Sequence, residues 1–246
     1  MIVPDWPAPA HVNAVVTQRP GGVSRGAYAS LNLGTQVGDD PESVAANRRV
    51  LAAELELPVE PSWLEQVHGA TVADLDTESP RPADGAVTSS ALHVCAVLTA
   101  DCLPVLFVNT AGARIGVAHA GWRGLARGVL PAVVTAMGDD PGDLLAWLGP
   151  AIGPAAYEVG AEVRAVFVAA DAGAEACFTV NARGRWQADL YGLARLSLAA
   201  AGVSAIYGGN FCTYTDTERF YSSRREPTCG RMATLIWLSP PCVTPR

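Results

Sequence analysis

An α+β fold, with mixed β-sheets flanked by helices in one domain over residues 1–246, is what this sequence predicts. Half of the residues are hydrophobic, enough for one large core without disulfide or metal staples. From Trp63 to His119 the chain runs through short apolar stretches bounded by Gly, Pro or Asn, which read as strands. Those strands cluster instead of alternating with helices, so a doubly wound arrangement is disfavoured.

Val12 to Val16 reads as the first strand, ended by the turn cluster Arg19-Pro20-Gly21-Gly22. The stretch from there to Gly38 is rich in Gly, Ser and Asn and shows neither helical nor strand period, so a long ordered loop is expected. Such loops inside compact domains are usually functional. Asp39 or Asp40 caps the next helix and Pro41 sits in its first turn, with Val44, Leu51 and Leu55 on one face until Pro58. Strands are expected at Trp63 to Val67, Val94 to Leu98, Leu103 to Val108 and Arg114 to His119, followed by a helix from Gly121 to Met137. Leu144 to Leu148 is a further strand, and Gly149-Pro150-Ala151-Ile152-Gly153-Pro154 is too stiff and glycine-rich to be a regular element. Helices at Gly160 to Ala170 and Asp189 to Ala201 and strands at Val203 to Phe211 and Met232 to Leu238 complete the chain, with no internal repeat or linker.

Charge and composition remove several function classes. The net charge of −7 and pI near 5.0 repel polyanions, so a nucleic-acid polymer is not an expected partner. All 17 basic residues are arginines. Without a lysine, Schiff-base chemistry, pyridoxal phosphate attachment and a Walker A loop are excluded. The start Met1-Ile-Val-Pro-Asp-Trp6 lacks the charged and apolar regions of a secretion signal, which predicts a cytoplasmic protein with reduced thiols. Cys95, Cys102, Cys177, Cys212, Cys229 and Cys242 contain no C-x-x-C pair, so a cysteine-only zinc knuckle is not expected. No apolar run approaches the ~18 residues of a membrane span, and no membrane partner is expected.

Gly22-Val23-Ser24-Arg25-Gly26 spells G-x-S-x-G, but a nucleophile elbow needs a strand before it and a helix after it. Here a Pro-Gly-Gly turn precedes and a polar loop follows, so a serine hydrolase is rejected. His68, Cys102 and His119 all fall at breaks between predicted elements, where side chains converge on clefts. Their separations of 34 and 17 positions match no compact zinc finger. A His2Cys set leaves a fourth tetrahedral position open, as in catalytic zinc sites. By pattern alone the blander alternative stands beside it, with Cys102 a small buried hydrophobe and the histidines satisfied core or surface groups.

The strings Gly21-Gly22-Val23-Ser24, Ser30-Leu31-Asn32-Leu33-Gly34, Asn47-Arg48, Gln66-Val67-His68-Gly69, Thr99-Ala100-Asp101-Cys102-Leu103-Pro104, His119-Ala120-Gly121-Trp122-Arg123-Gly124, Gly149 to Pro154, Tyr221 to Arg225 and Gly230-Arg231-Met232 occur in that order. Together they resemble the YfiH-like family, also described as laccase-domain polyphenol oxidoreductases, over nearly the whole chain. The resemblance implies a layered YfiH-like fold and a metal held by His68, Cys102 and His119, with Zn2+ the expected ion and Cu2+ the alternative. It further implies Asn47, Arg48, Gln66, Arg123 and Arg225 as substrate-binding residues, and a small-molecule purine nucleoside with phosphate as partners. Cys102 and His119 are then catalytic as well as ligating, and Asp101 beside Cys102 is a candidate proton carrier or a group supporting the ligands from behind. Gly121 and Gly124 flank a predicted helix start, which reads either as an anion site or as close helix packing. Arg48, Arg224, Arg225 and Arg231 are candidate guanidinium forks for phosphate or ribose.

The leading expectation is a zinc-dependent purine nucleoside enzyme, carrying out phosphorolysis of adenosine, inosine, guanosine or methylthioadenosine, and adenosine deamination. The usual deaminase signature H-x-E with P-C-x-x-C is absent, so any deamination uses another fold. The alternative is a metal-free cysteine amidase editing peptidoglycan precursors, with Cys102 as nucleophile and His119 or His68 as base. A copper polyphenol oxidase ranks lowest, because multicopper electron transfer needs more histidines than the four present. A monomer or small homo-oligomer is expected.

Overall fold

The computed structural model describes residues 1–77 and 82–239. The elements in order are β1 (Val12–Val16), α1 (Pro41–Glu54), β2 (Ser62–Trp63), β3 (Val72–Asp74), β4 (Gly85–Thr88), β5 (Val94–Thr99), β6 (Leu103–Asn109), β7 (Ile115–Ala120), α2 (Trp122–Ala126) and α3 (Val129–Met137). They continue with β8 (Leu144–Leu148), β9 (Glu158–Val159), α4 (Ala161–Ala170), β10 (Phe178–Val180), β11 (Trp186–Ala188), α5 (Leu190–Ala200), β12 (Ala205–Gly208) and β13 (Met232–Leu238). They form a six-stranded mixed sheet of order β12-β8-β6-β7-β4-β3, a four-stranded mixed sheet β1-β13-β5-β2 and a small antiparallel sheet β10-β11-β9.

Strand alternation assembles the layers. In the four-stranded sheet Cys95, Val97, Ile236 and Leu238 point inward, and they pack against Leu106, Val108, Ile115, Val117 and Trp147 of the six-stranded sheet. The intervening residues of the four-stranded sheet, Val94, Ala96, Ala233 and Leu235, face outward and are covered by Leu31, Leu33 and Leu51 from the long loop and α1. The other face of the six-stranded sheet, with Leu103, Val105, Phe107 and Leu148, is covered by α2 to α5 through Leu125, Leu130, Val133, Val163 and Leu193. Helix, sheet, sheet and helices thus stack in four layers, because both sheets carry apolar residues on both faces. Among the described residues no helix is long and apolar enough to cross a membrane.

α1 starts as expected: Asp40 accepts a hydrogen bond from the Ser43 backbone N–H, and Pro41 occupies the first turn. The expected helix from Gly121 to Met137 is instead two helices, because Gly128 takes a left-handed conformation (φ 82°) that no helix continues through. The expected strand from Trp63 to Val67 ends at Trp63. Beyond it the Gln66 side chain replaces the main chain, accepting from Leu98 N–H (2.7 Å) and donating to Leu98 C=O (2.8 Å). The strand expected to reach Phe211 ends at Gly208, where Gly208 and Gly209 both turn to positive φ. β3, β4 and the small sheet were not expected from the sequence; their strands of two to four residues are too short to show a period. Cys95, Cys102, Cys177, Cys212 and Cys229 are free thiols, as expected, and Cys242 lies outside the described residues.

Candidate metal centre

The chain crosses from the four-stranded sheet to the six-stranded sheet between β5 and β6, and Ala100-Asp101-Cys102 is that crossing. On β7 the side chains of Ile115 and Val117 point into the layer between the two sheets, and by the two-residue period His119 points the same way at the strand's end. His68 comes from the turn that follows β2. Three segments distant in sequence therefore meet at one mouth of the inter-sheet layer.

The ligating atoms of His68, Cys102 and His119 lie within 4.8 Å of one another, and among the described residues this is the one group of three or more such side chains. Cys102 Sγ is 3.8 Å from His68 Nε2, and the two imidazole rings stand edge to face with centroids 4.7 Å apart. Around a tetrahedral zinc, bonds of ~2.0–2.3 Å put neighbouring N and S ligands roughly 3.3–3.6 Å apart. The trio fits such an ion once its ligand atoms, now spread over as much as 4.8 Å, draw together around it. Its donor types, two imidazoles and a thiol, suit Zn2+ and also copper.

Local chemistry prepares the ligands. Burial opposes ionisation of Cys102, but the adjacent His119 and hydrogen bonds from His119 and His68 outweigh it and lower the thiol's pKa. Burial likewise disfavours a charged His119, and the Cys102 sulfur with the Asp84 carboxylate outweighs that and raises its pKa. His119 Nδ1 lies 2.8 Å from Asp84 Oδ1, so it is the donor and leaves Nε2 facing the cavity. Asp84 is fully buried at the head of β4, opposite His119 across the β4–β7 ladder. Burial opposes its charge too, but His119 and the Gly69 and Val67 N–H groups hold its carboxyl below the usual range. His68 and Asp101, both non-glycine, sit at positive φ (58° and 93°), a strained geometry that surrounding contacts must enforce.

The trio lines a cavity of about 630 Å³, in the range of small-molecule sites. Of the residues expected at the site, Arg48, Gln66 and Asp101 line it with the trio, as do Arg224 and Arg231. Arg48 lies over the Trp63 ring at 4.1 Å and donates to Leu33 C=O. Burial holds its guanidinium below the usual arginine value, with Glu60 opposing, so it is a partly desolvated cation facing an open cavity. Arg224 lies over Tyr157 at 5.1 Å.

Three expected substrate contacts lie elsewhere. Asn47 is fully buried and its amide ties down the long loop, accepting from Val23 N–H and donating to Ser24 Oγ and to the Ser30 and Asn32 carbonyls. Arg123 is exposed and stacks on Trp122. Arg225 donates to the carbonyls of Thr213, Tyr214 and Phe220, holding a loop together. Asp101 lines the cavity, yet its carboxylate accepts from Thr213 Oγ1 (2.6 Å) and Arg224 N–H (2.7 Å), which fixes the turn presenting Cys102. Asp84, Trp63 and Tyr157 were not singled out from the sequence. The available signal for Asp84 was a lone charge inside the small, apolar run Ala83 to Val87.

Gly121 and Gly124 act through their size. The helix they open is only five residues long, and Gly124 packs against the carbonyls of His119 and Gly69. A Cβ on Gly121 would fall 2.8 Å from Cys102 Sγ and 3.1 Å from His68 Cδ2. Gly121→Ala is therefore expected to push two ligands apart and weaken Zn2+ binding at least ~10-fold while leaving the core intact, as read by competition with a chromogenic chelator. An unchanged affinity would show that the trio tolerates displacement.

The family described as multi-copper polyphenol oxidoreductase laccase matches residues 13–239. A Pseudomonas aeruginosa protein named purine nucleoside phosphorylase is 54% identical over 96% of this chain and 98% of its own. The Escherichia coli purine nucleoside phosphorylase YfiH is 52% identical over 97% of this chain and 98% of its own. The crystal structure of a Neisseria meningitidis protein superposes with a TM-score of 0.92 at 46% identity, covering 97% of this chain and 99% of that one. With the fold, the motif order and matches over nearly the full length in agreement, the chain belongs to the multi-copper polyphenol oxidoreductase laccase family, the YfiH-like proteins.

Proposed function

We propose that this chain is a zinc-dependent purine nucleoside phosphorylase acting on adenosine, inosine, guanosine or methylthioadenosine, with adenosine deamination as a second activity of the same centre. The observation that carries the reading is one cavity of small-molecule size lined by the His-Cys-His trio together with Arg48, Arg224 and Arg231. The names of the relatives from Pseudomonas aeruginosa and Escherichia coli support it. When bound, the ion supplies Lewis acidity in the cavity. The guanidinium groups hold phosphate where it meets the ribose anomeric carbon, replacing its hydration with fixed donors. Trp63 and Tyr157, both in the cavity lining, offer aromatic surface for the base.

The reading is tested by incubating the Zn2+-loaded protein with nucleosides with and without phosphate. Free base and ribose 1-phosphate in equal amounts, formed only with phosphate, are expected; base release that ignores phosphate would reject phosphorolysis. Arg48→Lys is expected to lower kcat/KM for phosphate by roughly 10-fold or more, because a lysine reproduces neither the paired donation to Leu33 C=O nor the stacking on Trp63 that hold the cation at the cavity. Wild-type saturation curves for phosphate and nucleoside in that variant would remove Arg48 from the site.

One observation favours a second reading. Cys102, His119 and Asp84 form a chain of nucleophile, base and orienting carboxylate, the arrangement a cysteine amidase uses. Peptidoglycan precursors would then be the substrates. A multicopper oxidase has no such support, since no second ligand cluster exists among the described residues.

A further inference from the structure

Asp84 is not among the residues lining the cavity, yet two of the three candidate ligands hang on it. Its Oδ1 accepts from His68 N–H (2.9 Å) and from His119 Nδ1 (2.8 Å). Its Oδ2 accepts from Val67 N–H (3.1 Å) and Gly69 N–H (2.6 Å). Each oxygen thus takes two bonds, which fills the acceptor capacity of an ionised carboxylate. Its own backbone carbonyl accepts from His119 N–H at 2.7 Å, so β7 is tied to Asp84 by main chain and side chain together.

We propose that Asp84 is the positioning residue of the centre: one buried carboxylate curls the His68 turn around itself and, through the Oδ1 that also accepts from His68 N–H, orients the His119 ring. Three consecutive backbone N–H groups converging on one carboxylate hold His68 at φ 58°, a left-handed conformation that is uncommon outside glycine and that histidine tolerates better than most residues. Arg127, at the end of α2, closes the turn from the opposite side by donating to His68 C=O at 2.8 Å. The same carboxylate keeps the proton on His119 Nδ1, so Nε2 faces Cys102 and His68. The spacing of the trio is set by this single group, which is bonded to two of its three members.

No other residue meets these demands. Asparagine has one carbonyl oxygen where four donors need two. If its NH2 faces Val67 and Gly69, two N–H groups confront donors. If it faces His119, the ring proton must move to Nε2, the atom needed for the ion. The expected loss in Asp84→Asn is ~10–100-fold in Zn2+ affinity, the range for an outer partner of a ligating histidine. The affinity arm rests on the metal reading above; the remaining arms do not.

The experiment compares wild-type and Asp84→Asn protein by Zn2+ competition titration, by amide hydrogen exchange at Val67, His68 and Gly69, and by long-range 1H–15N NMR of the His119 ring. Weaker Zn2+ binding together with faster exchange at all three amides is expected. Faster exchange with unchanged Zn2+ affinity would reduce Asp84 to a loop-packing residue and overturn the proposal. Unchanged exchange would overturn it whatever binds. Should Asp84→Asn not fold, the wild-type NMR decides: a slowly exchanging proton on His119 Nδ1 is expected, and a bare Nδ1 overturns the proposal. Wild-type protein that takes up no Zn2+ rejects the metal reading instead, and the exchange and ring data still settle the role of Asp84.

Discussion

His119→Ala is expected to lose more than ~100-fold in Zn2+ affinity and essentially all nucleoside turnover, while the protein stays folded. Removing a ligand outright exceeds the ~10–100-fold typical of an outer partner. His68→Ala and Cys102→Ala are expected to lose metal likewise, but with different effects on stability. His119 is buried and its ring donates to a fully buried carboxylate, so truncation leaves Asp84 Oδ1 with one donor fewer and opens a void beside it. That costs about 1–3 kcal/mol, which at this chain length is roughly 2–4 °C of melting temperature for each kcal/mol. His68 keeps its turn through backbone donors that the mutation does not touch, so His68→Ala should melt close to wild type when both are metal-free. Elemental analysis after desalting and calorimetry of the metal-free proteins check both halves. Full metal occupancy in any one variant would remove that residue from the site.

The contrast between His119 and Asp84 shows how far the sequence reaches. Long elements with clear period were legible: Met232 to Leu238 and Leu144 to Leu148 are strands as expected, and α1 begins at the expected cap. Elements set by tertiary contact were not. β2 is only two residues because a side chain, Gln66, takes over its pairing, and no local pattern encodes that substitution. The three candidate ligands stood out because His and Cys at element ends are chemically conspicuous. Asp84 did not, since an aspartate before a glycine reads first as a turn residue and only the fold reveals four donors around it. Asn47 illustrates the reverse. Within the Asn-Arg motif both residues suggested ligand contact, but they are adjacent on α1 and face different surroundings. Asn47 points into the loop it clamps, and only Arg48 reaches the cavity.

Chelation is the perturbation with the largest expected contrast, because it separates a metal centre from a thiolate catalyst that uses the same atoms. With zinc bound, the Cys102 sulfur is engaged, and iodoacetamide is expected to modify it slowly; after chelation, its lowered thiol pKa should make it react at least ~10-fold faster. Cys212 supplies an internal control. Burial opposes its ionisation, but hydrogen bonds from Thr215 and from the Gly153 and Tyr214 backbones outweigh it and lower its pKa, so it should react alike in both states. Cys95 and Cys177, buried and with raised pKa values, should stay slow throughout. Peptide mass spectrometry then follows each thiol separately, while base release is assayed in parallel and should fall on chelation and return with Zn2+. If Cys102 instead acts as a nucleophile activated by His119 and oriented by Asp84, it must be alkylated quickly in the native protein, and turnover must survive chelators. Chelator-resistant turnover abolished by modification of Cys102 alone would assign the centre to cysteine hydrolase or transferase chemistry and leave the same three side chains with entirely different roles.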